Sequence, residues 1–88
     1  MHYRSYLMPI KILKLSEVIS EKYPVSSSKL YLDIQNKLMV PPVKIGARAS
    51  GFIESEIDAI VTARIRGCSE SEIKSLVSNL VQQRQEIS

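Results

Sequence analysis

The sequence predicts a mostly α-helical domain with a small β-hairpin, arranged as a winged helix-turn-helix of about four helices. Two short helical segments are separated by a tight turn at Pro24-Val25, which is typical of a helix-turn-helix. Two β-prone runs around a Gly-bounded loop follow these segments, and such a hairpin predicts the wing. With 44% apolar and 24% charged residues, the 88-residue chain has the composition of one small folded domain.

The first element is a short strand, because apolar residues alternate along Ile10–Leu13. The residues before it, 1–9, contain no long apolar run and predict a flexible N-terminal arm rather than a signal peptide. Ser16 is the expected N-cap of the first helix, Glu17–Tyr23, which carries an acidic residue in its first turn. Pro24 ends that helix because it lacks an amide hydrogen and disfavours a helical residue before it.

Ser26 is the expected N-cap of the second helix, which we predict at roughly Ser27–Leu38. Its apolar residues fall four apart and predict one buried stripe: Leu30, Ile34 and Leu38. The wing is predicted from Val43–Ile45 and Phe52–Ile53, with Arg48 in the small-residue loop between them and Lys44 on one strand.

Two helices complete the chain. The third is predicted to begin at Glu54, and Gly67 is expected to end it after two basic residues. Its expected buried stripe comprises Ile57, Ile60, Val61 and Ile65. Ser69 and Glu72 have the spacing of a capping box for the fourth helix.

We therefore divide the chain into the arm, a winged helix-turn-helix domain at 10–67 and a C-terminal amphipathic helix at 68–88. Apolar residues of that last helix recur with helical spacing: Ile73, Leu76, Val77, Leu80 and Val81. These residues either close the core of the monomer or form a face for an oligomer or a partner helix. The spacing is compatible with both alternatives.

The composition argues against several classes of protein. One Cys and one His provide neither a disulfide framework nor a Cys/His metal cluster, and we expect no metal and no cofactor. Nucleophile–base pairs and phosphate-cradling Gly loops are not recognisable, so we expect neither an enzyme nor a small-molecule ligand. With no apolar run long enough to cross a bilayer and no signal peptide, the expected location is the cytoplasm, away from membranes.

Charge is distributed unevenly. The first part, Met1–Ile53, has eight basic and three acidic residues, whereas Glu54–Ser88 has four basic and six acidic residues. A basic front half favours a polyanion partner, although a solvated surface without a partner is the alternative. A helix fits the major groove of duplex DNA, and a basic wing can contact the neighbouring backbone. The candidate DNA contacts are Ser26, Ser27, Ser28, Lys29, Tyr31, Gln35, Lys44 and Arg48.

Four segments between Ile12 and Arg66 together carry a resemblance to a known family: Ile12–Leu15, Val25–Tyr31, Pro41–Gly46 and Phe52–Asp58. They resemble the AlpA family of small phage- and island-associated DNA-binding regulators, which are related to excisionases and to the MerR-type winged fold. Two positions depart from the family pattern: Ser27 stands where the family usually has Arg, and Phe52 where it usually has Trp.

This resemblance implies a sequence-specific double-stranded-DNA-binding protein of a prophage or genomic island. Such a regulator acts on integrase expression, as an excision factor, or both. An integrase or a second copy of the chain is a further candidate partner. The alternative function is an adaptor that docks an integrase or polymerase through the C-terminal helix.

Overall fold

A three-stranded antiparallel sheet joins segments that are far apart in the chain. The structure is a computed structural model that describes residues 10–86, so the predicted arm at 1–9 lies outside it. The strands are β1 (Ile12–Leu13), β2 (Val43–Lys44) and β3 (Ser50–Ile53), in the spatial order β1-β3-β2. The predicted hairpin is therefore present, and β1 adds a third strand to it.

The two strand pairs set the register of the wing. Val43 pairs with Gly51 and Lys44 with Ser50 in the hairpin, while Ile12 faces Ile53 across the other pair. A β-carbon added at Gly51 would overlap Ile12 Cγ2 and lie 3.1 Å from the Leu13 carbonyl oxygen, so a side chain there would force β1 or the Ile12 side chain to shift.

The first helix begins earlier than the sequence predicts. Helix α1 (Leu15–Glu17) continues into a π-helical turn (Val18–Lys22), in which the Tyr23 amide donates to the Val18 carbonyl at 2.8 Å. Ser16 is not the N-cap, and that prediction is wrong. Glu17 instead accepts a hydrogen bond from the Lys14 backbone amide at 2.7 Å, which satisfies a free amide at the helix start.

The second helix, α2 (Ser27–Gln35), begins where predicted and ends three residues early. Lys37 adopts a left-handed conformation, with φ of 64°. The Lys37 and Leu38 amides then donate to the Ile34 and Asp33 carbonyls, which is a Schellman motif. This turn folds Leu38 back into the core, so Leu38 is buried although it is not part of the helix.

Helices α3 (Glu54–Ile65) and α4 (Glu70–Gln83) begin where predicted, and a short 3-10 turn (Arg84–Glu86) follows α4. Gly67 has a φ of 79° and terminates α3, as expected. The Ser69–Glu72 capping box is confirmed by reciprocal hydrogen bonds of 2.7 and 3.3 Å. Ile65, however, is 80% exposed, so its assignment to the buried stripe is wrong.

The core lies between the sheet and the helices. Its most deeply buried helical side chains come from the π-helical turn, α2, α3 and α4, and two more come from the connection after α2. They are Val18, Leu30, Met39, Val40, Ile57, Ile60, Ile73 and Val77. Helix α4 packs against α3 and contributes to this same core. The architecture is thus mostly helical with four helices and a small sheet in residues 10–86, the predicted class of small winged helix-turn-helix fold. Within this range, no helix has both the length and the apolar content needed to cross a bilayer.

Candidate nucleic-acid interface

The first candidate surface is the solvent-exposed side of α2, which begins at the N-cap Ser26. Ser26 Oγ accepts a hydrogen bond from the Lys29 amide at 3.1 Å, which anchors the first turn. Leu30 is fully buried on the inner side of the helix, so the opposite side faces solvent. The candidate contacts Ser28, Tyr31 and Gln35 lie on that side and are exposed, and Ser27 in the first turn is exposed as well. Ser26 is also exposed, but its hydroxyl is engaged in capping.

Lys29 belongs to an ion pair within the helix. Its Nζ lies 2.7 Å from Oδ1 of Asp33, one turn further along. The Asp33 side chain is 1% exposed, whereas the Lys29 side chain is 49% exposed. The ammonium group therefore neutralises a buried carboxylate, and Lys29 is a weaker candidate for a phosphate contact than the sequence suggests.

Asp33 connects α2 to the rest of the domain. Its Oδ2 accepts a hydrogen bond from the Tyr23 hydroxyl and lies 4.0 Å from Nη2 of Arg64 on α3. The Arg64 guanidinium is 5.4 Å from the centre of the Tyr23 ring, and its Nη2 also donates to the Leu38 carbonyl at 3.4 Å. This network holds the outward face of α2 in a defined orientation.

Two opposing effects act on the pKa of Asp33. Burial raises it, but hydrogen bonds from Lys29 and Tyr23 and the nearby Arg64 charge outweigh that effect, so the pKa is lowered overall. Burial, followed by the hydrogen bond to Asp33, raises the pKa of Tyr23 to about 12. At neutral pH, Asp33 is thus a carboxylate and Tyr23 a neutral donor.

The wing presents the other candidate cations. Its tip closes through hydrogen bonds from the Ile45 and Gly46 amides to the Ala49 carbonyl, at 2.9 and 3.2 Å. Lys44 and Arg48 are both exposed, and neither has a salt-bridge partner within residues 10–86. Between Ser26 and Ile53 the sequence has four basic residues and one acidic residue, and that acidic residue is the buried Asp33. The surface of this segment is therefore cationic.

The C-terminal helix face closes the core of the monomer. Ile73 and Val77 are 2% and 3% exposed, and Leu76, Leu80 and Val81 pack against the same core. Of the two alternatives for this face, the structure favours closure of the core at Ile73 and Val77. These two side chains are already buried within the monomer, so they do not form a surface for an oligomer or a partner. A partner that contacts α4 must therefore bind mainly through its half-buried and exposed residues.

Two buried carboxylates in the domain were not recognised as such from the sequence. Glu56, in the first turn of α3, is 4% exposed and paired with Arg84 at 2.7 Å. For Asp33, the signal was the spacing of four from Lys29, together with its place beside the apolar stripe. For Glu56, no local signal exists, because Arg84 is 28 residues away in the chain.

Comparison with known proteins gives no match. No family model matches the chain, and neither a curated protein nor a solved structure matches it. The functional conclusion accordingly depends on the geometry and on the sequence resemblance.

Proposed function

We propose that this protein binds double-stranded DNA through α2 and the wing. The observation that carries the proposal is the chemistry of the exposed residues. Ser28, Tyr31 and Gln35 lie on one solvent-facing side of α2. Hydroxyl and amide groups of this kind can bond to base edges in the major groove. Lys44 and Arg48 on the wing supply charges for phosphate.

The two elements have different tasks in this proposal. The uncharged α2 face reads sequence, and the wing supplies affinity that does not depend on sequence. Because Lys29 is the one basic residue of α2 and is paired with Asp33, no unpaired cation remains on this helix to contact phosphates. A complex of one monomer is then weak and sensitive to salt, so specific occupancy requires repeated sites or cooperative neighbours.

The resemblance to the AlpA family suggests the biological role. We propose a regulator of a prophage or genomic island that acts in the bacterial cytoplasm, at the nucleoid, by binding and not by catalysis, without a cofactor. It raises integrase expression or bends attachment-site DNA to favour excision. Footprinting and a bending assay on DNA beside its gene and beside any neighbouring integrase gene separate these two roles.

The direct test begins with selection of binding sites from a pool of random duplexes. Affinity for the selected site is then measured over a salt series by electrophoretic mobility shift. Arg48→Ala is expected to weaken binding to all duplexes about equally. It should also reduce the slope of log affinity against log salt concentration by about one unit. Arg66→Ala is the matched control, since Arg66 is an exposed cation at the far end of α3.

Substitutions on α2 test the reading of sequence. Ser28→Ala and Gln35→Ala are expected to change which duplexes are selected. Each lost base contact should reduce the free-energy difference between the preferred and the wrong base by about 1–3 kcal/mol. Unchanged affinity and salt slope in Arg48→Ala would show that the wing does not bind DNA. Unchanged selection in both α2 variants would show that α2 does not read bases.

A further inference from the structure

A groove runs between the end of α2 and the outer side of α4. Its volume is about 520 Å³, which lies within the range of pockets that hold ligands. Apolar side chains form its base: Ile34, Met39, Pro41, Val77 and Val81. Met39 and Val77 are buried core residues, whereas Ile34 and Val81 remain half-buried at the groove surface. The rigid core therefore supports an apolar depression that is open to solvent.

Two lysines border this depression. Lys37 and Lys74 are exposed, and neither has a salt-bridge partner in the part of the chain that the structure describes. Ser78 and Gln82 on α4 add uncharged polar groups to the lining. Acidic side chains are absent from the groove lining within residues 10–86. The rim thus has one sign of charge.

Lys37 is held at the rim by an unfavourable backbone conformation. Its φ of 64° lies in the left-handed region, where glycine is the usual residue at the end of a helix. A lysine there is strained by its β-carbon, so its presence is not explained by the turn alone. Unlike glycine, a lysine at this position places a positively charged side chain at the rim.

We propose that this groove binds an acidic amphipathic helix of a partner protein. The apolar base accommodates side chains spaced at i, i+3, i+4 and i+7, and the two lysines attract carboxylates on either side of that stripe. Duplex DNA is a poor occupant, because its charged phosphates make no favourable contact with the apolar side chains at the bottom of the groove. The N-terminal segment 1–9 is also unsuited in charge, since it contains Arg4 and no acidic residue. The proposal uses none of the proposed DNA contacts and is independent of them.

A display library of helical peptides tests the proposal with the full chain. Each peptide spans about four turns. Leu is fixed at the four anchor positions, while the other positions are drawn from Glu, Lys, Ser and Ala. The selected peptides are expected to be enriched in Glu beside the anchors. Their affinity is then measured by fluorescence anisotropy with labelled synthetic copies.

Variants at the rim distinguish an effect of charge on peptide binding from an effect on the stability of the fold. The double variant Lys37→Glu/Lys74→Glu is expected to bind the acidic peptide at least about tenfold more weakly and to prefer a Lys-containing counterpart. The double variant Lys44→Glu/Arg48→Glu makes the same change of net charge on the wing and is expected to leave peptide affinity unchanged. Lys37→Gly is expected to weaken peptide binding while raising the melting temperature, a combination that a purely structural role does not produce.

Ser78→Phe places a large side chain in the groove from an exposed position on α4. It is expected to abolish peptide binding without lowering the melting temperature. Several outcomes would overturn the proposal: selected peptides without acidic enrichment, binding that survives Ser78→Phe, or a concentration-dependent dimer that the double variant disrupts. Equal losses of duplex affinity in Lys74→Glu and Lys44→Glu would assign the rim to DNA and would also overturn it.

Discussion

The Arg84 side chain ties the turn after α4 to α3 and to the start of the wing. Its Nε and Nη2 atoms donate to the two carboxylate oxygens of Glu56 at 2.9 and 2.7 Å. Nη2 also donates to the Pro41 carbonyl at 2.7 Å, just before β2. The side chains of Arg84 and Glu56 are 19% and 6% exposed. Replacement of Arg84 by Met keeps an apolar stem but leaves a buried carboxylate without its partner.

The cost of Arg84→Met follows from this geometry. Breaking a buried ion pair from one side costs about 3–5 kcal/mol. Because Arg84 retains some exposure, water can replace part of the lost interaction, and we expect about 3 kcal/mol. That is a large share of the stability of an 88-residue protein, which is on the order of 4–13 kcal/mol in total.

Urea unfolding followed by circular dichroism measures this cost. A double-mutant cycle with Arg84→Met, Glu56→Gln and both together isolates the pair. The double variant is expected to be about 1–2 kcal/mol more stable than Arg84→Met alone, since it removes the unpaired charge. Arg66→Met is the control, because Arg66 is exposed, and its effect should lie within about 0.5 kcal/mol. A loss below about 0.5 kcal/mol in Arg84→Met, or strict additivity in the cycle, would refute the reasoning.

Two further predictions concern the wing and alkaline pH. Gly51→Ala is expected to destabilise the fold by about 1–3 kcal/mol in urea unfolding, because the new methyl group overlaps Ile12. Gly46→Ala, where the nearest atom is 3.7 Å away, should be close to neutral, and equal effects of the two changes would contradict the close approach. The pKa of Tyr23 is raised from 10.0 in the unfolded chain to about 12 in the folded protein. The neutral phenol therefore stabilises the fold fully below pH 10, and this stabilisation is lost as the pH rises to 12. Over that range the wild type should lose about 2–3 kcal/mol more than Tyr23→Phe, and parallel stability curves would count against the shift.

Elements stabilised by neighbouring residues were predictable from the sequence. The caps at Ser26 and Ser69 and the helix end at Gly67 depend on backbone groups only a few residues away, so local spacing reveals them. The helix start near Ser16 was mispredicted, because Glu17 caps the Lys14 amide and moves the start upstream. The end of α2 was mispredicted because a lysine, and not a glycine, adopts the left-handed turn.

The candidate site was predictable in part. The exposure of Ser28, Tyr31 and Gln35 follows from helical periodicity, which sets the side opposite Leu30 toward solvent. The role of Lys29 does not follow from it, because a spacing of four permits an ion pair with Asp33 but does not reveal that the Asp33 carboxylate is buried. That burial is set by Tyr23 and Arg64, and Arg64 belongs to a helix that follows the wing.

The sequence by itself determined the order of the elements, most of their ends and the positive charge of the segment from α2 to the wing. Only the tertiary structure decided which charged groups are enclosed and which face solvent. Glu56 and Pro41 meet Arg84 across 28 and 43 residues of chain. Contacts at such separation depend on how the helices pack together, and packing is a property of the whole core and not of any local run of residues.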